Sequence, residues 1–340
     1  MAPVTGENRI LTYHGLQEIT CTSKTGLTAL KKATRCNAKN IEIADVGFLL
    51  GPRLNAAGRL ETANSVVKLL ISENPDDAEK IAKCLDETNR ERQNIQKDIF
   101  KEAVELIESN PHSKEASTTV LASENWHQGV IGVVASKLIN KYYRPTILIS
   151  LDGPVGKASG RSIEGFNLYK CVSKCGHLLE KYGGHEMAVG FSIKKEMIEE
   201  FKKTFEDEAR RNIKDPKIFI SPLKIDAMVS IDDISKNLHR ELEMLAPFGL
   251  GNPRPLLVAK NVNIPVSPNV VGNNGDHLKM RIKGNKNVVE AIGFNMGNLI
   301  SEFDFEVDRF DIAFNISINR WKDKETLQLK LKDIRLAEGQ

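Results

Sequence analysis

Two short segments carry residue types suited to gripping an anion. In Lys181-Tyr182-Gly183-Gly184-His185-Glu186-Met187-Ala188-Val189-Gly190, two glycines stand beside a titratable ring. Paired glycines let a ligand come close to backbone N–H groups, and an imidazole can donate to an anion. In Gly156-Lys157-Ala158-Ser159-Gly160-Arg161-Ser162, a guanidinium fork sits beside hydroxyls and flexible backbone. Arginine binds phosphate in bidentate fashion, where lysine acts as a point charge. Phosphate is therefore the ligand these residues suggest. Taken singly, each segment has a plainer reading: the first as a turn followed by a surface histidine, the second as an ordinary loop.

Other candidates divide in the same way. Arg53, Asn55 and Arg59 could touch nucleic acid or organise a cleft, while the plainer reading has Asn55 capping a helix that Ala56-Ala57-Gly58 lets pack closely. Cys171, Cys175, His177 and His185 invite a zinc reading. His177 lies only two positions from Cys175, hence on another helical face, and no second ligand pair follows at zinc-module spacing, so buried thiols are preferred. Arg90 and Arg92 read as a solvated helix face, Trp126 as core and His127 as a residue that could face a cleft. Towards the C-terminus Lys279, Arg281 and Lys283 alternate along one strand-like run and would form a basic stripe. Phe294, Phe310, Phe314 and Trp321 are candidate stacking platforms for single-stranded bases, with Phe310 and Phe314 favoured as core and Trp321 as exposed.

The elements that must position these residues follow from periodicity. Apolar residues recur at helical spacing from Ala63 to Leu70 and from Asp76 to Ser109, and Asn74-Pro75-Asp76 is a good helix start. Residues 115–214 alternate strand-like and helix-like segments: strands at Thr118–Ala122, Thr146–Leu151 and Val189–Ile193, and helices at Gln128–Tyr142, Leu168–Tyr182 and Lys195–Asn212. That alternation predicts an α/β layer arrangement. After Asp215-Pro216 the period changes to two, as in Leu223–Val229, Leu278–Ile282 and Leu327–Leu331, with a helical interruption near Asn295–Phe303. Short strands between Gly/Asn-rich turns fit a small barrel such as the OB fold.

The 340 residues are 41% hydrophobic and 27% charged, enough for two ordinary cores and against a disordered or fibrous chain. A net charge of +3 gives no bulk argument for nucleic acid, so any binding surface must come from local clustering. No run of some eighteen apolar residues and no basic-then-apolar start occurs, which makes a cytoplasmic protein that does not enter a membrane the default expectation. Five irregularly spaced cysteines argue for reduced thiols.

Five segments in order resemble the RecJ-type single-strand exonucleases of the DHH superfamily. They are Gly47–Leu60 with its PRLNAAGRL core, Glu124–Leu138, the SGRS and GGHEMAVG segments, and Ala246–Pro255 with its APFGLGNPRP sequence. The resemblance implies a remnant of the DHH catalytic domain at 1–60, connector helices at 61–112, a DHH-associated α/β domain at 113–215 and an OB-fold β-barrel at 216–340. It also implies hydrolysis of single-stranded DNA from its 5′ end. Carried over by position, Ser159 and Arg161 would bind the terminal 5′-phosphate, Gly183, Gly184 and His185 a phosphate near the scissile bond, with His185 the one catalytic candidate. Val189 departs from the family, where a second alanine is common, and would tighten packing behind the GGH segment.

The family holds Mn²⁺ or Mg²⁺ on an aspartate-rich set with a DHH triplet, and this sequence has neither that triplet nor a DxD; Asp276-His277-Leu278 is the nearest echo. Hard divalent ions at such centres need several converging carboxylates. The chain is thus expected to start partway through a catalytic domain and to be inactive alone, as a truncated gene product, one half of a split gene or an expressed fragment, with a missing DHH-domain half as a possible partner. Two rivals are a DHH-type phosphodiesterase acting on small nucleotides and a non-catalytic single-strand-binding module.

Overall fold

The structure, a computed structural model, describes residues 2–36, 40–60, 63–272, 274–305, 307–321 and 324–337, with the side chains of Arg59, Leu60, Lys114 and Trp321 outside that description. In chain order the helices are α1 (Gly6–Cys21), α2 (Thr25–Ala33), a short α3 (Ile43–Asp45), α4 (Gly51–Leu60), α5 (Asn64–Ile71), α6 (Pro75–Ser109), α7 (Gln128–Tyr142), α8 (Leu168–Lys174), α9 (Ile198–Asn212) and α10 (Lys236–Glu243). The strands are β1 (Thr119–Ser123), β2 (Thr146–Asp152), β3 (Val155–Arg161), β4 (Lys181–His185), β5 (Ala188–Lys194), β6 (Ala227–Met228), β7 (Leu257–Val262), β8 (Asn269–Val271), β9 (His277–Lys283), β10 (Val288–Gly293), β11 (Phe310–Trp321) and β12 (Lys324–Leu336). Two compact units divide them. One is Cys21–Lys39 with Ala44–Pro222; the other is Met1–Thr20 with Asn40–Ile43 and Leu223–Gln340, so residues 1–60 are shared between the two.

In the first unit a five-stranded sheet runs β1-β2-β3-β5-β4, with β1 and β2 parallel and the other pairs antiparallel. Because side chains alternate across a strand, the sheet has two unlike faces. Ile147, Ile149, Val189, Phe191 and Ile193 join a core with α8 and α9, while Leu148 joins a second core with α6 and α7. The long α6 starts as the sequence predicts: the Asn74 side chain accepts from the Asp76 and Asp77 N–H groups, and Pro75 needs no partner. Further along, Glu102 accepts from Trp126 Nε1 and Ser123 Oγ, each at 2.9 Å, which ties α6 to β1 and seats the buried Trp126.

Three expectations are corrected here. The SGRS and GGH segments are strands, β3 and β4, because each pairs residue for residue with β5. The helix expected over Leu168–Tyr182 ends at Lys174. Gly176 lies under the Tyr182 ring, where a Cβ would come within 3.1 Å of it, and a 3₁₀ turn at Gly176–Leu178 then feeds β4. Asn55 caps nothing, because the helix containing it begins upstream. Pro52 has no N–H to donate, and the preceding segment Val46–Leu50 widens into a π-helix with Gly51 N–H bonded to Val46 O.

The second unit is a seven-stranded sheet in the order β6-β7-β11-β12-β10-β9-β8. Only Ala227–Met228 of the strand expected over Leu223–Val229 pairs, with β7. The five central strands curl until Asn263, just past β7, meets Lys283 at the end of β9 in a single antiparallel bridge. Phe310 and Phe314 are fully buried in the enclosed core with Ile282, Leu278 and Leu329. The helical interruption is a 3₁₀ turn at Gly297–Ser301.

Candidate nucleic-acid interface

The register of the first sheet brings the phosphate candidates into two rows on one face. Arg161 pairs with Ala188, and Ala188 with His185; Ser159 pairs with Gly190, and Gly190 with Gly183. Directly paired residues point to the same side, so Arg161 and Ser159 form one wall, His185 and Gly183 the other, and Ala188 and Gly190 a low floor between them. Two strand spacings separate the walls by about 10 Å. This is the Leu148 face, and α7 covers its Ser159 end.

Arg161 Nη1 donates to Ser159 Oγ at 3.1 Å and to Gly160 O at 2.8 Å, which aims a half-buried guanidinium along the wall. The contact with α7 depends on a residue not singled out in the sequence. A Cβ at Gly132 would stand 2.8 Å from Ser159 Oγ and 2.9 Å from an Arg161 guanidinium nitrogen. A legible signal existed: glycine in a helix interior is disfavoured by roughly 1 kcal/mol relative to alanine, so its presence in Val130-Ile131-Gly132-Val133 marks a close approach.

On the opposite wall β4 is the sheet edge and all five of its residues are exposed. An edge strand presents backbone N–H groups to a ligand. Gly184 has φ +145°, and a Cβ there would sit 2.3 Å from Ala188 O, whereas Gly183 has open space. His185 Nδ1 accepts from the Met187 N–H at 3.3 Å, leaving Nε2 as the nitrogen that can reach a ligand. Behind the sheet, Val189 fills the space that Gly160 leaves, since a Cβ on Gly160 would come within 2.7 Å of it. The extra bulk of Val189 thus lies on the face away from Arg161 and His185.

The remaining candidates are placed as follows. Arg53 is committed to Asp86, with Nε and Nη2 each 3.0 Å from Oδ1, and Nη1 donates to Leu49 O; Arg90 takes the other Asp86 oxygen at 2.8 Å. These bonds lock α4 to α6, with Ala56 and Ala57 buried and Asn55 exposed. The Arg59 and Trp321 side chains lie outside the described residues. Cys171 and Cys175 are buried thiols whose pKa burial pushes up to about 12 and about 11, the opposite of what a metal-binding thiolate needs. His127 caps α7, its Nδ1 accepting from the Gly129 N–H.

In the second unit Lys279, Arg281 and Lys283 line the outer face of β9, between the inward Leu278, Met280 and Ile282. Lys279 is partly neutralised by Glu290 on β10, 3.3 Å away. Phe294 is half-exposed and packs edge-on against His277. Among the described residues no three His, Cys, Asp or Glu side chains converge. These residues therefore do not fit a divalent-metal centre.

An α/β domain whose sheet gathers Ser159, Arg161, Gly183 and His185 on one face, followed by a barrel with a basic stripe, defines the class. Residues 115–211 match the family model for the DHHA1 domain and residues 225–333 that for the RecJ OB domain. The chain is 34% identical to the single-stranded-DNA-specific exonuclease RecJ of Bacillus subtilis over all of its own length and 43% of that protein. It is 30% identical to the RecJ of Escherichia coli, covering 98% of this chain and 59% of the relative. Crystal structures of Thermus thermophilus RecJ in complex with Mn²⁺ and with Mg²⁺ superpose with TM-scores of 0.85 and 0.83 at 28% and 27% identity, over 99% of this chain and about half of theirs. The chain belongs to the RecJ-type family. It spans about half the length of the relatives it matches.

Proposed function

We propose that this chain is the DNA-holding part of a RecJ-type 5′→3′ single-strand exonuclease, with the terminal 5′-phosphate on Ser159 and Arg161. A following phosphate rests on the Gly183-Gly184-His185 edge, and Lys279, Arg281 and Lys283 bind backbone phosphates of the single strand. Arg53 supports the site through the α4 and α6 pair, and Asn55 and Arg59 contact the nucleic acid. The observation that carries this reading is the two-walled face, in which the donors of β3 and β4 oppose each other across Ala188 and Gly190. Its groups are donors and one permanent cation with no evident nucleophile, which suits anchoring and charge stabilisation. The Mn²⁺ or Mg²⁺ chemistry of the intact enzyme would come from residues other than these.

Affinity for a 5′-phosphorylated and a 5′-hydroxyl oligonucleotide, measured with wild-type chain and Arg161→Ala, tests the reading. A charge-assisted bidentate contact contributes roughly 1.5–3 kcal/mol, so the phosphorylated ligand should lose tenfold or more and the hydroxyl form little. Equal losses would move Arg161 to general backbone binding. Tight binding of a dinucleotide, undiminished by the basic-stripe changes, would favour the small-nucleotide phosphodiesterase instead.

A further inference from the structure

The second unit holds a further cationic cluster that shares Lys283 with the β9 stripe and adds Lys260 and Arg309 to it. Beside the bridge of Asn263 with Lys283, a cavity of about 340 Å³ opens between the end of β7, the end of β9 and the segment before β11. Small-molecule sites occupy about 300–1,000 Å³. Lys260, Lys283 and Arg309 line the cavity, with Asn261, Asn263 and Asn285 between them. Among the described residues none of the three cations has a carboxylate partner.

The nearby acids are already engaged. Asp232, on the cavity wall, accepts from the N–H groups of Lys286 at 2.7 Å, Asn285 at 2.9 Å and Asn287 at 3.0 Å, and these bonds hold its carboxyl below the usual range. Gly284 makes room for that turn, since a Cβ would stand 2.5 Å from Asp232 Oδ1. Asp311 takes Arg335 and the N–H of Asn261, a residue in the left-handed region at φ +52°. Three cations against one carboxylate leave two net positive charges around a concave polar space, a repulsion that a bound anion relieves.

We propose that this cavity binds a nucleoside 5′-monophosphate through its phosphate. A phosphate monoester carries about −1.5 to −2 charges at neutral pH, which matches the excess, whereas each backbone diester of a single strand brings only one. Lys260 and Arg309 line this cavity from outside the strand that carries Lys279, Arg281 and Lys283. The carboxamides of Asn261, Asn263 and Asn285 supply donors and acceptors for a base edge or sugar hydroxyls. Among the described residues no aromatic ring lines the cavity, so charge carries most of the affinity and the carboxamides carry the preference for a base. The inference is independent of the exonuclease reading.

Calorimetric titration of dAMP into the whole chain carrying Arg161→Ala, which silences the other phosphate position, tests it. Saturable binding is expected, at least tenfold weaker after Arg309→Gln and likewise after Lys260→Gln; the exposed Lys260 keeps the test sound if the half-buried Arg309 variant does not fold. Ribose 5-phosphate should bind less tightly than dAMP. The proposal is overturned by absence of binding at millimolar dAMP, by affinity unchanged in both variants, or by ribose 5-phosphate binding as well as dAMP. A loss confined to oligonucleotide binding would assign the cavity to the nucleic-acid track and also overturn it.

Discussion

Gly132 shows how one absent methyl group sets the geometry of a site. In the middle of α7 its bare Cα lets the Ser159 hydroxyl and the Arg161 guanidinium pack under the helix. Gly132→Ala places a carbon within 3 Å of both, but each is the end of a side chain and can move aside. Fold stability should therefore hold or rise, by up to about 1 kcal/mol from the better helix former, while the preference for a 5′-phosphate falls severalfold. Thermal unfolding and oligonucleotide affinity, measured on the same variant, check both halves. A destabilised fold with intact preference would mean that the helix yields and the site does not depend on the glycine. Gly184 stands in contrast, because its neighbour at 2.3 Å is the backbone oxygen of Ala188 and its φ of +145° is itself unfavourable to a side chain.

At the scale of elements, the basic stripe on β9 is separable from the phosphate walls. Changing Lys279, Arg281 and Lys283 to Ser in the whole chain should flatten the plot of log affinity for single-stranded DNA against log salt, each phosphate contact being worth about 0.7 in slope. Lys279 is already paired with Glu290, so the expected change is nearer the share of two contacts, about 1.4, than that of three. An unchanged slope with an intact circular dichroism spectrum would make the stripe a solvated face. How legible such elements are depends on what holds them. The α6 and α7 helices were readable from the Asn74 cap and from a continuous apolar period, both local signals. The strands β3 and β4 were not, because Gly156, Gly160, Gly183 and Gly184 have low strand propensity and are held by pairing with β5, a partner remote in sequence. The types of the phosphate-gripping residues were thus visible in the sequence, while their common face, the small floor of Ala188 and Gly190 and the role of Gly132 depend on register. Arg53 looked like a free cation for want of its partner, since Asp86 lies 33 positions away.

For the whole molecule, the near-neutral net charge of +3 hides local clustering: the candidate phosphate donors share one sheet face in one unit, and cations line the outer face of β9 in the other. Among the described residues no helix is long and apolar enough to cross a membrane. Among the described residues these units show no carboxylate cluster of the kind that metal-assisted cleavage uses. Phosphodiester hydrolysis at two-metal sites depends on carboxylates that fix the ions, activate water and stabilise both the attacking and leaving oxygens. Hydrogen-bond donors and a guanidinium can hold the ground state and offset developing charge, yet they generate no nucleophile at neutral pH. With no converging acidic cluster among the described residues, this chain with Mn²⁺ should bind a 5′-phosphorylated oligonucleotide and leave it intact. Gel analysis of labelled substrate over hours, beside an affinity measurement on the same sample, separates holding from cutting. EDTA-sensitive mononucleotide release that tracks this chain through purification at stoichiometric levels would show that the chain's acids assemble a centre after all. Binding without release, with the 5′-phosphate preference lost in Arg161→Ala, is the result that the two-walled face requires.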